Sequence, residues 1–377
     1  VEKAKISAYQ LFVLIVMFEL GSALLVPLAM DAKQDAWLAI LFGMIGGFIL
    51  YFIYYRLYLY YPDSLPTTFV QKLIGKTFGR IIAFLYIVYF SYSASRVLRD
   101  FGEMLAVISY PETPLSINHA LLMFVIVYTV RKGIEVIGRS GELAFFLIYL
   151  FAIIGFILII FSGIIHINNL KPILEDGIYS VIKVAFGQVL FFPFGEAIVF
   201  AMILPYLNNP KKAKITGLLA LGLSGINIAI SMAINISVLG VSLIERTQFP
   251  LLSTIQAIQF AEFLERLDIF FILTMIILGF FKICIFFYAA VIGTADLFKI
   301  KEPSQLAFPM GLVVLFMSIV VASNMTEHLQ EGLEIIPIYI HLPIQVIIPA
   351  ILLIIAFFKN RKVGKMRDGQ LSQGDGQ

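Results

Sequence analysis

The chain has 377 residues, 60% hydrophobic and 14% charged, with a formal net charge of +3. Soluble proteins carry nearer to about 25% charged residues, so this composition excludes a soluble enzyme or a nucleic-acid binder and describes a polytopic membrane protein in a lipid bilayer. The single cysteine, Cys284, cannot form an internal disulfide.

Runs of about 20 apolar residues predict ten spans near 7–30, 36–60, 79–107, 117–130, 141–164, 178–206, 215–240, 268–298, 306–323 and 342–358, the fourth and ninth short. The opening residues are only mildly basic and lead into a full span without a small-residue cleavage motif. They read as a retained first helix. That first span holds Glu19-Leu20-Gly21-Ser22-Ala23 at its middle. A carboxylate at bilayer depth is expensive and glycine weakens a helix, so a break is expected there. In the second span Gly43 and Gly47 form a small-xxx-small packing face. Gly75-Lys76-Thr77 looks like the tail of a phosphate loop, but Val70 stands where its first glycine is needed. The third span carries Arg96, Arg99, Asp100 and Glu103. Their i,i+4 spacing predicts the pairs Arg96–Asp100 and Arg99–Glu103, a cluster that neutralises itself. Lining a vestibule is the alternative.

The sixth span contains the stretch on which the reading turns, GQVLFFPFGEAIVFAMILP from Gly187 to Pro205. Pro193 removes a backbone donor, Gly195 weakens the helix, and Glu196 puts a second carboxylate at depth. Broken backbone inside a membrane survives only where protein or a watery cavity satisfies it. Two interrupted helices at corresponding places in two halves point to a transporter-type site. Asn227 and Asn235 of the seventh span, with Gln188 of the sixth, read as interhelical hydrogen-bonding groups. Pro250 to Leu264 is too polar to span and reads as an interfacial helix, a candidate lid. In the eighth span Lys282 sits in ILGFFKICIFF without a charged neighbour. It must face the bundle, with Glu196, Glu19 or exposed carbonyls of the first helix as partners, where its ammonium can replace a sodium ion between spans 1 and 8. A purely structural pair is the alternative. The histidines His119, His166, His328 and His341 lack metal spacing and read as interfacial. Asn324-Met325-Thr326 fits a glycosylation acceptor no better than chance, and no metal site or cofactor motif emerges.

Lys and Arg concentrate at both termini and in alternate loops, for example Arg56, Lys72, Lys76 and Arg80, then Lys211, Lys212 and Lys214. The opposite loops carry only Lys33, Lys171, Arg246 and Arg266. Both termini are therefore expected on the cytoplasmic side. Ten spans split into five and five, and an odd number per half makes the second half an inverted repeat. The expected organisation is one transmembrane domain over 1–377, with repeats at 7–164 and 178–358 and a disordered cytoplasmic tail at 359–377. At the breaks, free N–H groups of a half-helix suit a carboxylate and exposed carbonyls suit an ammonium. Together they fit a small neutral amino acid, in an apolar setting that includes Leu24, Val97, Phe192, Phe194 and Phe286.

The sequence resembles the spore germination permease family, the B subunits of nutrient germinant receptors within the amino acid–polyamine–organocation superfamily. The resemblance rests on Ile6-Ser7…Gln10-Leu11 leading to Gly21-Ser22, on Asp35-Ala36-Trp37, Tyr61-Pro62, Gly75-Lys76…Gly79 and Thr113-Pro114. In the second half it rests on Phe194-Gly195-Glu196 with Leu204-Pro205, Leu239-Gly240, Phe249-Pro250, and Phe263 to Asp268 ahead of Phe281-Lys282. It implies an all-α integral membrane fold of ten transmembrane helices, an inverted 5+5 LeuT-like repeat with helices 1 and 6 broken. It also implies a nutrient site between those helices, the spore inner membrane, and partner A and C subunits. On this basis the expected site includes Gly21, Ser22, Gly195, Glu196 and the neighbourhood of Lys282. The residues themselves add Ala23, Val97, Phe192, Phe194 and Phe286 as expected ligand-binding positions, and Lys282, Glu196 and Glu19 as ion-coupling or ion-mimicking groups, Val97 and Glu19 without a family motif to match. The functional expectation is a non-enzymatic germinant receptor subunit that signals through its partners. The alternative is a proton-coupled amino acid symporter of the same fold.

Overall fold

The chain enters its first helix through Ser7, whose hydroxyl accepts from the Gln10 N–H while the Gln10 side chain accepts from the Ser7 N–H. This capping box fixes the start of α1 (Ala8–Leu25). The structure is a computed structural model that describes residues 4–109, 111–258 and 268–360. Every α1 residue from Val13 to Ala23 is buried, as befits a helix that is apolar on all sides. It forms the central post of the bundle, packed against α6 (Ile134–Phe161), α8 (Ala213–Leu239) and α11 (Asp268–Phe298).

Among the described residues, eight helical stretches are long and apolar enough to cross a membrane. The shorter apolar helices α5 (Leu115–Arg131) and α12 (Ala307–Val320) occupy the fourth and ninth places. The remaining spans are α2 (Ala36–Tyr60), α4 (Lys76–Ile108), the interrupted sixth span beginning with α7 (Gly177–Val184), and a tenth helix running from Pro337 to Asn360. Large hydrophobic side chains such as Phe124, Leu143, Phe146 and Val320 stand exposed on the outside, the apolar belt that lipid requires. Packing obeys an internal rule: span 1 packs on span 7 as span 2 packs on span 6, and span 3 on span 9 as span 8 on span 4. Spans 1 and 5 likewise repeat as spans 6 and 10. Adding five to both members of each pair returns a contact, as an inverted 5+5 arrangement demands.

Several expectations need correction. The first helix is not broken at Gly21-Ser22-Ala23, because α1 continues to Leu25. Its interruption falls at Val26–Ala29, where Pro27 supplies no N–H and holds Val26 extended (φ −94°, ψ 158°). Ala29 is left-handed (φ 62°) and a 3-10 turn over Met30–Asp35 leads into α2. An amphipathic helix not separated by the sequence reading, α3 (Pro66–Ile74), packs against α4 and α11 and ends at Gly75 (φ 91°). Thr67 and Thr68 both donate to the Asp296 carboxylate from it, at 2.5 and 2.7 Å.

The fifth span starts earlier than expected, at Ile134, and so does the tenth, at Pro337. Ahead of the tenth lies α13 (Met325–Gln330), capped by the Asn324 side chain, and a π turn over Glu331–Ile335. This segment meets α12 at 106°. Between α8 and α11 come a single turn, α9 (Val241–Ile244), and α10 (Pro250–Gln256). α10 is packed against α1, α8 and α11, and Thr254 donates to Asn235 at 2.8 Å. The later part of the expected interfacial helix lies outside the described residues, as do Arg266 and the tail at 361–377.

Candidate functional site

The sixth span departs from α-helix in stages. After α7 comes a π turn at Ala185–Val189, then a bend, then a 3-10 stretch over Phe194–Met202. Pro193, with no N–H, stands at the end of the bend. Gln188, in the π turn, holds three interruptions together. Its carbonyl accepts from the Phe191 and Phe192 N–H groups, its Oε1 accepts from the Ala29 N–H at 3.1 Å, and its Nε2 donates to the Leu333 carbonyl at 3.4 Å. The expected role as interhelical glue is met, and so is that of Asn227, which donates to the Tyr149 hydroxyl at 2.6 Å. The small face of α2 is the bed for the break: a Cβ at Gly47 would lie 2.6 Å from Phe194 Cβ.

Beneath the bend, Lys282 Nζ lies 2.6 Å from Glu196 Oε2. Lys282 is wholly enclosed and Glu196 nearly so. The contact is an ion pair at close range without an aligned hydrogen bond. The ammonium also faces the rings of Phe18 and Phe192, 4.9 and 4.8 Å from their centroids, so two aromatic faces share its desolvation. Gly21 lets the lysine stem cross α1, since a Cβ there would sit 2.8 Å from Lys282 Cδ. Close approach, rather than unwinding, is what this glycine provides. Glu19 is fully buried, and neither of its oxygens has a hydrogen-bond partner among the described residues.

A cavity of about 50 Å³ opens above the pair, between α4, the breaks of spans 1 and 6, and the segment ahead of span 10. Val97, Phe192 and Glu196 line it, together with Val26, Arg96, Asp100, His328 and His341. The expected Arg99–Glu103 pair forms at 2.7 Å. The Arg96–Asp100 pair does not. Arg96 reaches across the cavity to the His328 carbonyl and to Glu331 at 3.4 Å and donates to the Tyr92 hydroxyl of its own helix at 3.2 Å, while Asp100 contacts His328 Nε2 at 2.8 Å. The segment ahead of span 10 supplies partners to both groups, the His328 carbonyl and Glu331 to Arg96 and the His328 ring to Asp100, and so separates the two. Three of the histidines are likewise not interfacial. His328 and His341 border the cavity, and buried His119 lies 2.8 Å from Ser318 Oγ.

The family model described as "Spore germination protein" matches residues 5–326. The chain is 51% identical over 366 residues to spore germination protein KB of Bacillus subtilis (strain 168), covering 97% of this chain and 98% of that one. The chain belongs to the spore germination protein family. Among solved structures, this spore germination protein resembles MhsT in complex with L-phenylalanine, with a TM-score of 0.66, 15% identity, and coverage of 94% of this chain and 88% of that one. It also resembles Mhp1, a nucleobase-cation-symport-1 family transporter with bromovinylhydantoin bound (TM-score 0.62, 13% identity, 85% of this chain and 73% of that one). The fold is thus the LeuT-like one of ten helices with spans 1 and 6 interrupted, and the protein is an integral membrane protein.

In this spore germination protein the other expected site residues stand behind the cavity wall. Phe286 packs edge-on against Phe18 with centroids 4.8 Å apart, Phe194 is buried against Gly47, and Ser22 and Ala23 are buried within α1. Gly195 lies under Gln345, whose Oε1 occupies the space a Cβ would take. Gln345 in turn donates to the Tyr89 hydroxyl at 2.8 Å, and the Gln345 carbonyl accepts from Tyr54 at 2.6 Å. Sequence reasoning missed this contribution of span 10. Its signal was present in Pro337, His341, Pro343 and Gln345, helix-disturbing and polar residues inside an apolar run.

Proposed function

We propose that this protein is the B-type membrane subunit of a nutrient germinant receptor, binding a small neutral amino acid in the cavity between the breaks and signalling through A and C subunits. The observation that carries the reading is the enclosed Lys282–Glu196 pair, whose Glu196 borders a cavity of mixed charged and apolar lining where two spans are interrupted. An ion pair so deeply desolvated is poor material for stability, and intramembrane ionisable groups mark ligand or ion paths. The Lys282 ammonium stands between α1 and α11 as a built-in cation. In this reading the spans at 7–164 and 178–358 act as two inverted repeats, both termini face the cytoplasm, and the protein resides in the spore inner membrane. Binding shifts the balance between open and occluded forms only so far as the ligand prefers one of them.

Proteoliposomes loaded with purified protein test this: the receptor reading predicts calorimetric binding of a neutral amino acid without flux. Heat from a sugar, with none from any neutral amino acid, would remove the amino acid from the proposal. A second reading, a proton-coupled symporter, is favoured by Glu19, a buried carboxylate without a hydrogen-bond partner among the described residues, on which a coupling proton can reside. It predicts accumulation driven by a pH gradient and abolished by Lys282→Ala.

A further inference from the structure

The interruptions were expected to offer a half-helix N-terminus for the ligand's carboxylate, and the hydrogen bonds leave little of that offer. Through Gly21, Ser22 and Ala23 the backbone belongs to α1. Beyond it, the Val26 N–H donates to the Ser22 carbonyl, the Leu28 N–H to the Val26 carbonyl and the Ala29 N–H to Gln188 Oε1. At the other break the N–H groups of Leu190, Phe191, Phe192 and Glu196 donate to nearby carbonyls and Pro193 has none, which leaves those of Phe194 and Gly195, two buried residues that stand outside the cavity lining. At the breaks, the backbone donors of the residues that line the cavity, Val26, Phe192 and Glu196, are already engaged.

Among the described residues, Arg96 is the one cationic side chain that borders the cavity, and Lys282 below it is held by Glu196. Resting on the proposed receptor reading, we infer that Arg96 is the residue that recognises the ligand's carboxylate, with the Glu331 carboxylate holding the same guanidinium in the absence of ligand. The Arg96–Glu331 separation of 3.4 Å is long for a charge-assisted bond, for which about 2.7–2.9 Å is usual. Glu331 is also a third exposed, so water can take over its solvation when it is displaced. The arginine fork suits a carboxylate, which it can grip through two parallel N–H bonds. Gly332 makes room: a Cβ there would sit 2.9 Å from Arg96 Nη2. The ligand's ammonium is then left to Glu196, which borders the same cavity. The assignment moves acid recognition from helix ends to α4 and ties it to the segment ahead of span 10, because the anion that leaves Arg96 belongs to that segment.

The test compares binding of neutral L-amino acids with that of their amides, which keep the side chain and ammonium but lose the negative charge. Calorimetry is run on purified full-length protein, with the melting temperature recorded for each variant. The wild-type protein is expected to prefer the acid, and Arg96→Gln to weaken acid binding by about ten-fold or more while leaving amide binding within a few-fold. Glu331→Gln, which removes the competing anion and keeps the arginine, is expected to tighten acid binding by a few-fold. Arg96→Gln that retains the preference for acid over amide overturns the inference alone. So does Glu331→Gln with weakened acid binding, should Arg96→Gln fail to fold. A wild-type protein that binds no neutral amino acid overturns the receptor reading and this inference together.

Discussion

Lys282 and Glu196 concentrate the electrostatics of this protein into one contact. Removing one partner of a buried pair strands the other, typically at about 3–5 kcal/mol, whereas replacing both with neutral groups of similar shape can cost nothing. Lys282→Met is therefore expected to lower the unfolding free energy in detergent by that amount. Adding Glu196→Gln to it should recover most of the loss, measured as melting temperatures across the double-mutant cycle. A double variant as unstable as the single one would mean that the pair contributes nothing through its charge. The sequence pointed to both residues, since each is an ionisable group in an apolar run. It also left their pairing open, because a partner 86 residues away is fixed by packing rather than by spacing. Arg96 and Asp100 show the same limit. Their i,i+4 register is legible, yet α4 turns both toward residues of the segment at 325–335.

Interruptions, at the scale of elements, are held by side chains from other elements. Gln188→Leu keeps the volume and removes the acceptor of the Ala29 N–H, so it should cost about 1–2 kcal/mol. It should also speed amide exchange at residues 28–32 more than in the middle of α1. Equal exchange in both proteins would show that Gln188 does not hold the first break. Gly195→Val is expected to abolish ligand binding while leaving membrane insertion intact, because the added carbons collide with Gln345 Oε1 and the Leu190 carbonyl. Normal affinity in that variant would move the pocket elsewhere. The break in span 6 was legible from Pro193, Gly195 and Glu196 together. The break in span 1 was placed too early because Gly21 was weighed and Pro27 was not. A glycine can serve a neighbour's close approach, whereas a proline removes a donor wherever it stands.

Over the whole molecule, the ten-span pattern and the 5+5 packing follow from hydrophobic runs, and α11 ends at Phe298 as read from sequence. The amphipathic α3 was hidden because nine residues between two spans carry no membrane-length signal. Orientation is testable through cysteine chemistry, since Cys284 is fully buried. On a Cys284→Ala background, cysteines at Lys33 or Lys171 should react with an impermeant maleimide from outside the cell. Those at Lys76 or Lys211 should react only after permeabilisation, and the reverse pattern would invert the topology.

The account as a whole rests on the cavity between α4 and the two breaks being where a ligand sits. The most direct measurement is binding of neutral amino acids to the wild-type protein and to Val97→Trp, a variant whose indole would fill a space of about 50 Å³. Binding to the wild type and its loss in a Val97→Trp protein that melts within a few degrees of the wild type is the predicted result. Unchanged affinity in Val97→Trp would contradict it.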